Sequence, residues 1–123
     1  MASDALDRIR SSDGSSSIYD ALLRLLDGLG TYEVHPQKAS VHVARGRAFL
    51  GVHPRKAGLL LNIVLDRPLT TGRVRRSERV SANRWHNDVE VGSVGELDSE
   101  LVDWLREAYA LTQPRPADRS GAG

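Results

Sequence analysis

The sequence predicts an α+β domain in which an antiparallel sheet of four to five strands, a meander, is flanked by an N-terminal and a C-terminal helix. Three observations carry that prediction. Apolar residues recur at helical spacing near each end of the chain, short Val-, Leu- and Phe-rich runs lie between them, and those runs are joined by connections too short for parallel crossovers. At 123 residues the chain has room for one domain with a sizeable core and no second one.

Residues 1–16 are polar and end in a Ser- and Gly-rich run, with too little apolar surface to offset ordering entropy, so they read as a flexible lead-in in which a short helix around Leu6 and Ile9 would be marginal. From Ser17 the pattern changes. Ile18, Leu22, Leu25, Leu26 and Leu29 share a helix face, and Gly28 and Gly30 close the helix near Leu29. Strands are expected over Ala39–Ala44, Ala48–Val52, Leu59–Leu65, Arg79–Ala82 and Asp88–Val91. Leu59–Leu65 is apolar at nearly every position, as befits the centre of a sheet, whereas Val41 and Val43 alternate with His42, which implies one wet face. The Arg-rich loop Asp66–Glu78 has no apolar periodicity and reads as flexible. A second amphipathic helix follows from about Asp98 to Leu111, capped by Asp98 and stapled by Leu97 and Val102. The domain therefore spans 17–112, and the Pro- and Gly-containing tail 113–123 is expected to be disordered.

The net charge of +1 conceals a division. Between Lys38 and His86 stand eleven Lys and Arg against two acids, Asp66 and Glu78, a local charge of +9; the remainder carries six basic and fourteen acidic residues, or −8. Such asymmetry marks an anion-facing surface, or else acidic helices lying against a basic sheet. Within this stretch a turn is repeated: Val34-His35-Pro36-Gln37-Lys38-Ala39-Ser40 recurs 18 residues later as Val52-His53-Pro54-Arg55-Lys56-Ala57-Gly58. One hairpin out and back returns the chain to the same end of a meander, so both turns should lie at one end, with Arg45, Arg47 and Arg67 at the other. If the chain re-enters from that other end at Arg79, it delivers Arg84 and His86 back to the first. Lys38, Arg55, Lys56, Arg84 and His86 are thus the candidate anion-binding residues, with Trp85 nearby. Arginine offers a planar fork of donors and lysine a mobile point charge to phosphate or carboxylate. Ordinary turn chemistry, with solvated lysines, is the bland counterpart.

Other chemistry is set aside on composition and spacing. The chain has no cysteine, which removes disulfides, thiol nucleophiles and thiolate metal sites. Its four histidines, His35, His42, His53 and His86, show no His-x-His or helical His-x-x-x-His spacing, so no metal and no cofactor is expected. No Gly-x-Ser-x-Gly or Gly-rich nucleotide loop occurs, and Gly92, Ser93 and Gly95 precede a helix whose Glu96, Asp98 and Glu100 would repel an anion. The catalytic residues are unknown and a non-catalytic role is favoured. No apolar run approaches the roughly 20 residues of a membrane span, and the N-terminus lacks a secretory pattern, so a soluble, cytoplasmic protein is expected.

Taken as an ordered set, Pro36 and Lys38, Ala48-Phe49 with Pro54-Arg55-Lys56, His86 before Val89–Val91, and Leu97-Asp98 leading to Trp104, Ala108 and Tyr109 give the chain, over about Tyr19–Leu111, a pattern that resembles the uncharacterised family catalogued as domain of unknown function 5655. Members of that family also form the end of proteins labelled predicted transport proteins. The resemblance implies a compact α+β domain used alone or attached to others, with no established catalytic residues.

Three functions compete. The first is a module that binds an anionic partner, nucleic acid or an acidic protein surface, through the basic sheet end and loop. In the nucleic-acid version Arg67 to Arg84 forms an electrostatic track with Trp85 stacking on a base. The second is a small anionic-ligand pocket or enzyme using His86 with Lys38, Arg55 and Lys56. The third is a structural domain that forms a homodimer through a sheet face or edge.

Overall fold

The computed structural model describes residues 4–56 and 58–113. Helices α1 (Ala5–Arg10) and α2 (Asp13–Asp27) precede strands β1 (Glu33–Pro36), β2 (Val41–Arg45), β3 (Arg47–Pro54), β4 (Leu59–Leu65), β5 (Val74–Ser81) and β6 (Arg84–Val91); a 3-10 turn at Val94–Glu96 leads into α3 (Ser99–Ala110). The fold is α+β, as expected, with six strands rather than four to five. They form one antiparallel sheet in the order β1-β2-β3-β4-β6-β5.

The extra strand is β1. Its four residues, mostly exposed, carry little apolar signal and are held by pairing with β2, Glu33 opposite Ala44 and His35 opposite His42. The first four strands run as a meander. Their connections include Gly46, whose φ of 78° lets Arg45 and Arg47 pair directly across a tight bend. The last two strands depart from it, because β6 inserts between β4 and β5. Sequence explains the exchange: β6 alternates Asn87, Val89 and Val91, all buried, with polar residues and suits an interior place. The Arg-Arg-Ser-Glu-Arg run of β5 suits an edge, where charged side chains deter further pairing.

Helices α1, α2 and α3 pack on the same face of the sheet. Leu59, Leu61, Ile63 and Leu65 of β4 and Val89 and Val91 of β6 meet Ile18, Leu22 and Leu26 of α2 and Leu101, Leu105 and Ala108 of α3 in one core. Phe49 lies edge-on to Tyr109 with ring centroids 5.5 Å apart. Asp98 caps α3 as its sequence position predicts, its carboxylate accepting from the Leu101 N–H at 3.1 Å.

The segment expected as a flexible lead-in is helical over Ala5–Arg10. Ala5 and Ile9 are fully buried, so tertiary burial offsets an ordering cost that the local composition could not. For the same reason α2 begins at Asp13, four residues before Ser17: the buried Ser15 hydroxyl donates to the Gly58 carbonyl and ties that first turn to the sheet. The expected disordered tail lies, apart from Gln113, outside the described residues.

The loop Asp66–Glu78 is not free either. Its second part is β5, and its first part crosses from the β4 end of the sheet to the start of β5, pinned by Asn87. That side chain is fully buried and completely bonded: its Oδ1 accepts from the Leu69 N–H at 2.9 Å and the Ser77 hydroxyl at 2.5 Å, while Nδ2 donates to the Ile63 and Arg67 carbonyls at 3.3 and 3.2 Å. Leu69 is thereby drawn into the core, and Arg67 and Arg73 anchor the outer side of the crossover to α3 and its cap, described below.

Asn87→Leu removes the side-chain bonds to the Leu69 N–H and the Ile63 and Arg67 carbonyls, while the Ser77 hydroxyl keeps the Leu69 carbonyl as acceptor, so it is expected to lower unfolding free energy by about 3 kcal/mol in urea titration, with the slope unchanged. Gly58 lies against the Val91 carbonyl with no room for a Cβ. Gly58→Ser, which would make the second turn match the first, is expected to cost about 1–3 kcal/mol in the same measurement.

Candidate functional site

The two repeated turns are closed by corresponding hydrogen bonds. Gln37 N–H donates to the Ser40 carbonyl at 2.8 Å, and, 18 positions on, Arg55 N–H donates to the Gly58 carbonyl at 3.0 Å. Both lie at one end of the sheet, where β1 and β3 finish and β2 and β4 begin. Lys38, Arg55 and Lys56 are therefore gathered at that end, and Arg8 of α1 joins them by donating to the Lys38 carbonyl at 3.1 Å. Arg8, Ser11, Ser12, Pro54, Arg55 and Lys56 line a shallow hollow there of about 420 Å³.

Arg84 and His86 do not join them. Strand β6 runs opposite to the expected direction: Trp85 pairs with Leu65 and Val91 with Leu59, which puts Arg84 at the end of Arg45 and Arg47. The crossover pinned by Asn87 has already carried the chain back to the repeated-turn end before β5 starts, and β5 and β6 are joined by a tight hairpin with Ser81 opposite Arg84. This extra pass has no strand pattern, so a parity count misses it. Strand geometry separates Lys38 from His86 by on the order of 20 Å, and no single cleft holds all five residues.

What the sheet does bring together is its uncovered face. Alternation directs Leu60, Asn62 and Val64 of β4 and His86 and Asp88 of β6 away from the helices. Together with His42, Gly51, His53, Arg55, Arg76, Glu78 and Arg84 they line a concavity of about 540 Å³. Arg55 and Arg84 thus share one surface, at its two ends. His42 and Gly51 are cross-strand neighbours, and Gly51 lies against the His53 ring and Asn62. Asn62 Nδ2 donates to Asp88 Oδ1 at 2.8 Å. His35 pairs with His42, so all four histidines of the chain share this face's strand parity. His42, His53 and Asp88 went unselected in the sequence; the signal that marks them is a polar residue alternating with buried valines, as in Val41-His42-Val43.

Two of these rings titrate abnormally. His53 is held below the ordinary histidine value first by burial, then by the Arg55 cation, with His42 adding to this and Asp88 opposing it. His86 is likewise held down first by burial and then by Arg84, against Asp88 and Glu78. Both are therefore mainly neutral at pH 7.

The basic surplus divides sharply. Arg67 is bidentate on Glu107 at 2.8 and 2.9 Å. Arg73 bonds Asp98 at 2.9 Å, Glu100 at 3.2 Å and the Glu96 carbonyl at 2.8 Å, and lies over the Trp104 ring. Arg75 pairs with Glu90 and Arg76 with Glu78, each at 3.1 Å. Arg47 donates to the Leu111 carbonyl at the end of α3, where Arg45 lies 4.0 Å over the Tyr109 ring and bonds Thr112. Arg79 donates to the Ser81 and Ala82 carbonyls of its own hairpin. Among the described residues, Lys38, Arg55, Lys56 and Arg84 have no acidic side chain within ion-pair distance. The expected track from Arg67 to Arg84 is thus largely bound within the fold, and Trp85, opposite Leu65, shares the face of Asn87 and Val89 rather than the uncovered one.

No helix among the described residues is long and apolar enough to cross a membrane, and no three His, Asp or Glu side chains among them are grouped to hold a metal ion. The features together define a one-sided antiparallel sheet domain with a polar, histidine-lined face. Its family follows from the sequence match: the model described as "Domain of unknown function (DUF5655)" covers residues 7–112, and the chain belongs to that family. The match begins within α1, so the family pattern includes the helix that composition alone had set aside. Comparison with curated proteins and with solved structures found no match.

The histidine environments make stability pH-dependent with a definite sign. Because both folded values lie below the unfolded one, the unfolded chain binds more protons as pH falls through about 6.5. Thermal midpoints are expected to be constant above about pH 7.5 and to fall on acidification through the folded values; His53→Gln combined with His86→Gln should flatten that decline in a scanning-fluorimetry series.

Proposed function

We propose that the domain is a non-catalytic module that binds an anionic partner across its uncovered sheet face and the adjoining basic end. The observation that carries this reading is the fate of the cations. Seven arginines of the basic middle stretch are engaged within the fold by acids, carbonyls or a hydroxyl, whereas Lys38, Lys56 and Arg84 have no acidic side chain within ion-pair distance among the described residues, nor has Arg55, which donates to the adjoining Pro54 carbonyl at 3.0 Å. Arg55 and Arg84 border the same concave face, and Lys38 and Lys56 extend the positive potential beyond one end of it. A guanidinium with no acidic partner keeps its charge and most of its donors for phosphate or carboxylate oxygens and focuses the field on an approaching anion.

The acids of this face offset that potential only in part: Glu78 is paired with Arg76, and Asp88, which accepts from Asn62, stands against Arg55 and Arg84. Proteins with a folded-in arginine surplus use those residues as structure, and those with an exposed one use them for binding; here the two sets can be separated by mutation.

Binding of the full chain to a labelled polyanion, measured by anisotropy, is expected to weaken steeply with added salt. Arg55→Ala and Arg84→Ala should each weaken it by about three- to tenfold, since a charge-assisted contact contributes about 1 kcal/mol in such settings. Arg73→Ala should instead leave binding within about twofold while reducing stability by about 1–2 kcal/mol, its partners being the cap and first turn of α3. Absence of binding to nucleic acid and to acidic peptide at low salt would dispose of the reading.

A further inference from the structure

The uncovered face has a charge that protons can reset. The residues lining it carry Arg55, Arg76 and Arg84 against Glu78 and Asp88, close to balance, together with three imidazoles, His42, His53 and His86. Protonating those rings would turn a face of charge +1 into one of +4. Around Asp88 the arrangement is nearly symmetrical: His53 on β3 lies toward Arg55, and His86 on β6 toward Arg84. The groups acting on His53 are Arg55 on its own strand, His42 on β2 and Asp88 on β6; those acting on His86 are Arg84 and Asp88 on its own strand and Glu78 on β5, with Arg76 beside Glu78. Strand β4 adds only the neutral Leu60, Asn62 and Val64 to this face.

The geometry also constrains the occupant. Arg55 and Arg84 lie beyond opposite ends of the Leu59–Leu65 span, with backbones on the order of 25 Å apart. An extended peptide of about eight residues covers that length. No Phe, Tyr or Trp lines the concavity, so it offers no platform on which bases could stack, whereas guanidinium and imidazolium donors suit carboxylates.

We propose that the uncovered face seats an extended, carboxylate-rich peptide segment between Arg55 and Arg84, and that His53 and His86 take up protons as it docks. This rests on the anion-binding reading of the same face. The unliganded face resists protonation because each ring is half-buried beside a cation. A docked carboxylate supplies the opposing charge, so binding draws protons in and is tighter at lower pH.

The test uses the full chain and a rhodamine-labelled octa-aspartate peptide in low salt, with a labelled octathymidylate as the competing class. Affinity for the peptide is expected to rise at least about tenfold between about pH 7.5 and 5.5. In the His53→Gln, His86→Gln double variant the gain on acidification should shrink to less than about threefold. Should that variant not fold, the imidazole proton resonances of the unaltered chain give the same information: the His53 and His86 titration midpoints should move up by about one pH unit or more with saturating peptide. Equal affinity at both pH values, full pH dependence in the double variant, unmoved midpoints, or tighter binding of the oligothymidylate would each overturn the proposal while leaving anion binding intact. Failure of both probes to bind would overturn the anion-binding reading itself.

Discussion

Asn87 joins four segments through one side chain. Its amide group bonds Ile63 at the end of β4, Arg67 and Leu69 in the crossover, and Ser77 in β5. A buried amide satisfied at every position costs little to bury and much to disturb, since a partner such as the Leu69 N–H would otherwise lack a bond away from water. The consequence is topological. With the crossover clamped against the sheet, the chain returns to the repeated-turn end before pairing again, and β6 takes the place beside β4. Only then do His86 and Asp88 share a surface with His53 and Asn62.

The same crossover explains how the chain tolerates a +9 stretch. Arg67 and Arg73 meet Glu107, Asp98 and Glu100, so the acidic C-terminal helix neutralises the basic loop within one molecule. Surface ion pairs of this kind contribute little one by one. Their effect here is positional: they hold α3 and the crossover together and leave the remaining charge concentrated at Arg84 and around the repeated turns. The intramolecular reading of the charge asymmetry therefore holds for Arg67 and Arg73, whose partners lie on α3 and its cap.

Placing all three helices on one side leaves a sheet face that is polar because every second residue of β2, β3, β4 and β6 includes His42, His53, Asn62, His86 or Asp88. Such a face needs no cover to be stable in water, which distinguishes it from an apolar face awaiting a helix. His53 and His86 lie beside Arg55 and Arg84, an arrangement with an electrostatic cost in the protonated state that an anion would relieve.

Much of this was legible locally. The Leu59–Leu65 strand, the Asp98 cap, the α3 stripe and the shared position of the two repeated turns all follow from period, capping chemistry and turn residues acting over a few positions. Local rules could not supply α1, whose Ala5 and Ile9 gain their burial from distant strands, nor β1, whose pairing comes from β2. Nor could they give the return of the chain through Asp66–Arg73, which has no periodic signal because one side chain, Asn87, holds it. The positive charge of the middle stretch was thus determined by sequence alone, as was the gathering of Lys38, Arg55 and Lys56. Which cations remain unpaired, and that Arg84 and His86 face Arg55 along a sheet rather than Lys38 across an end, was decided by tertiary structure, because ion pairing and strand order depend on contacts between residues far apart in the chain.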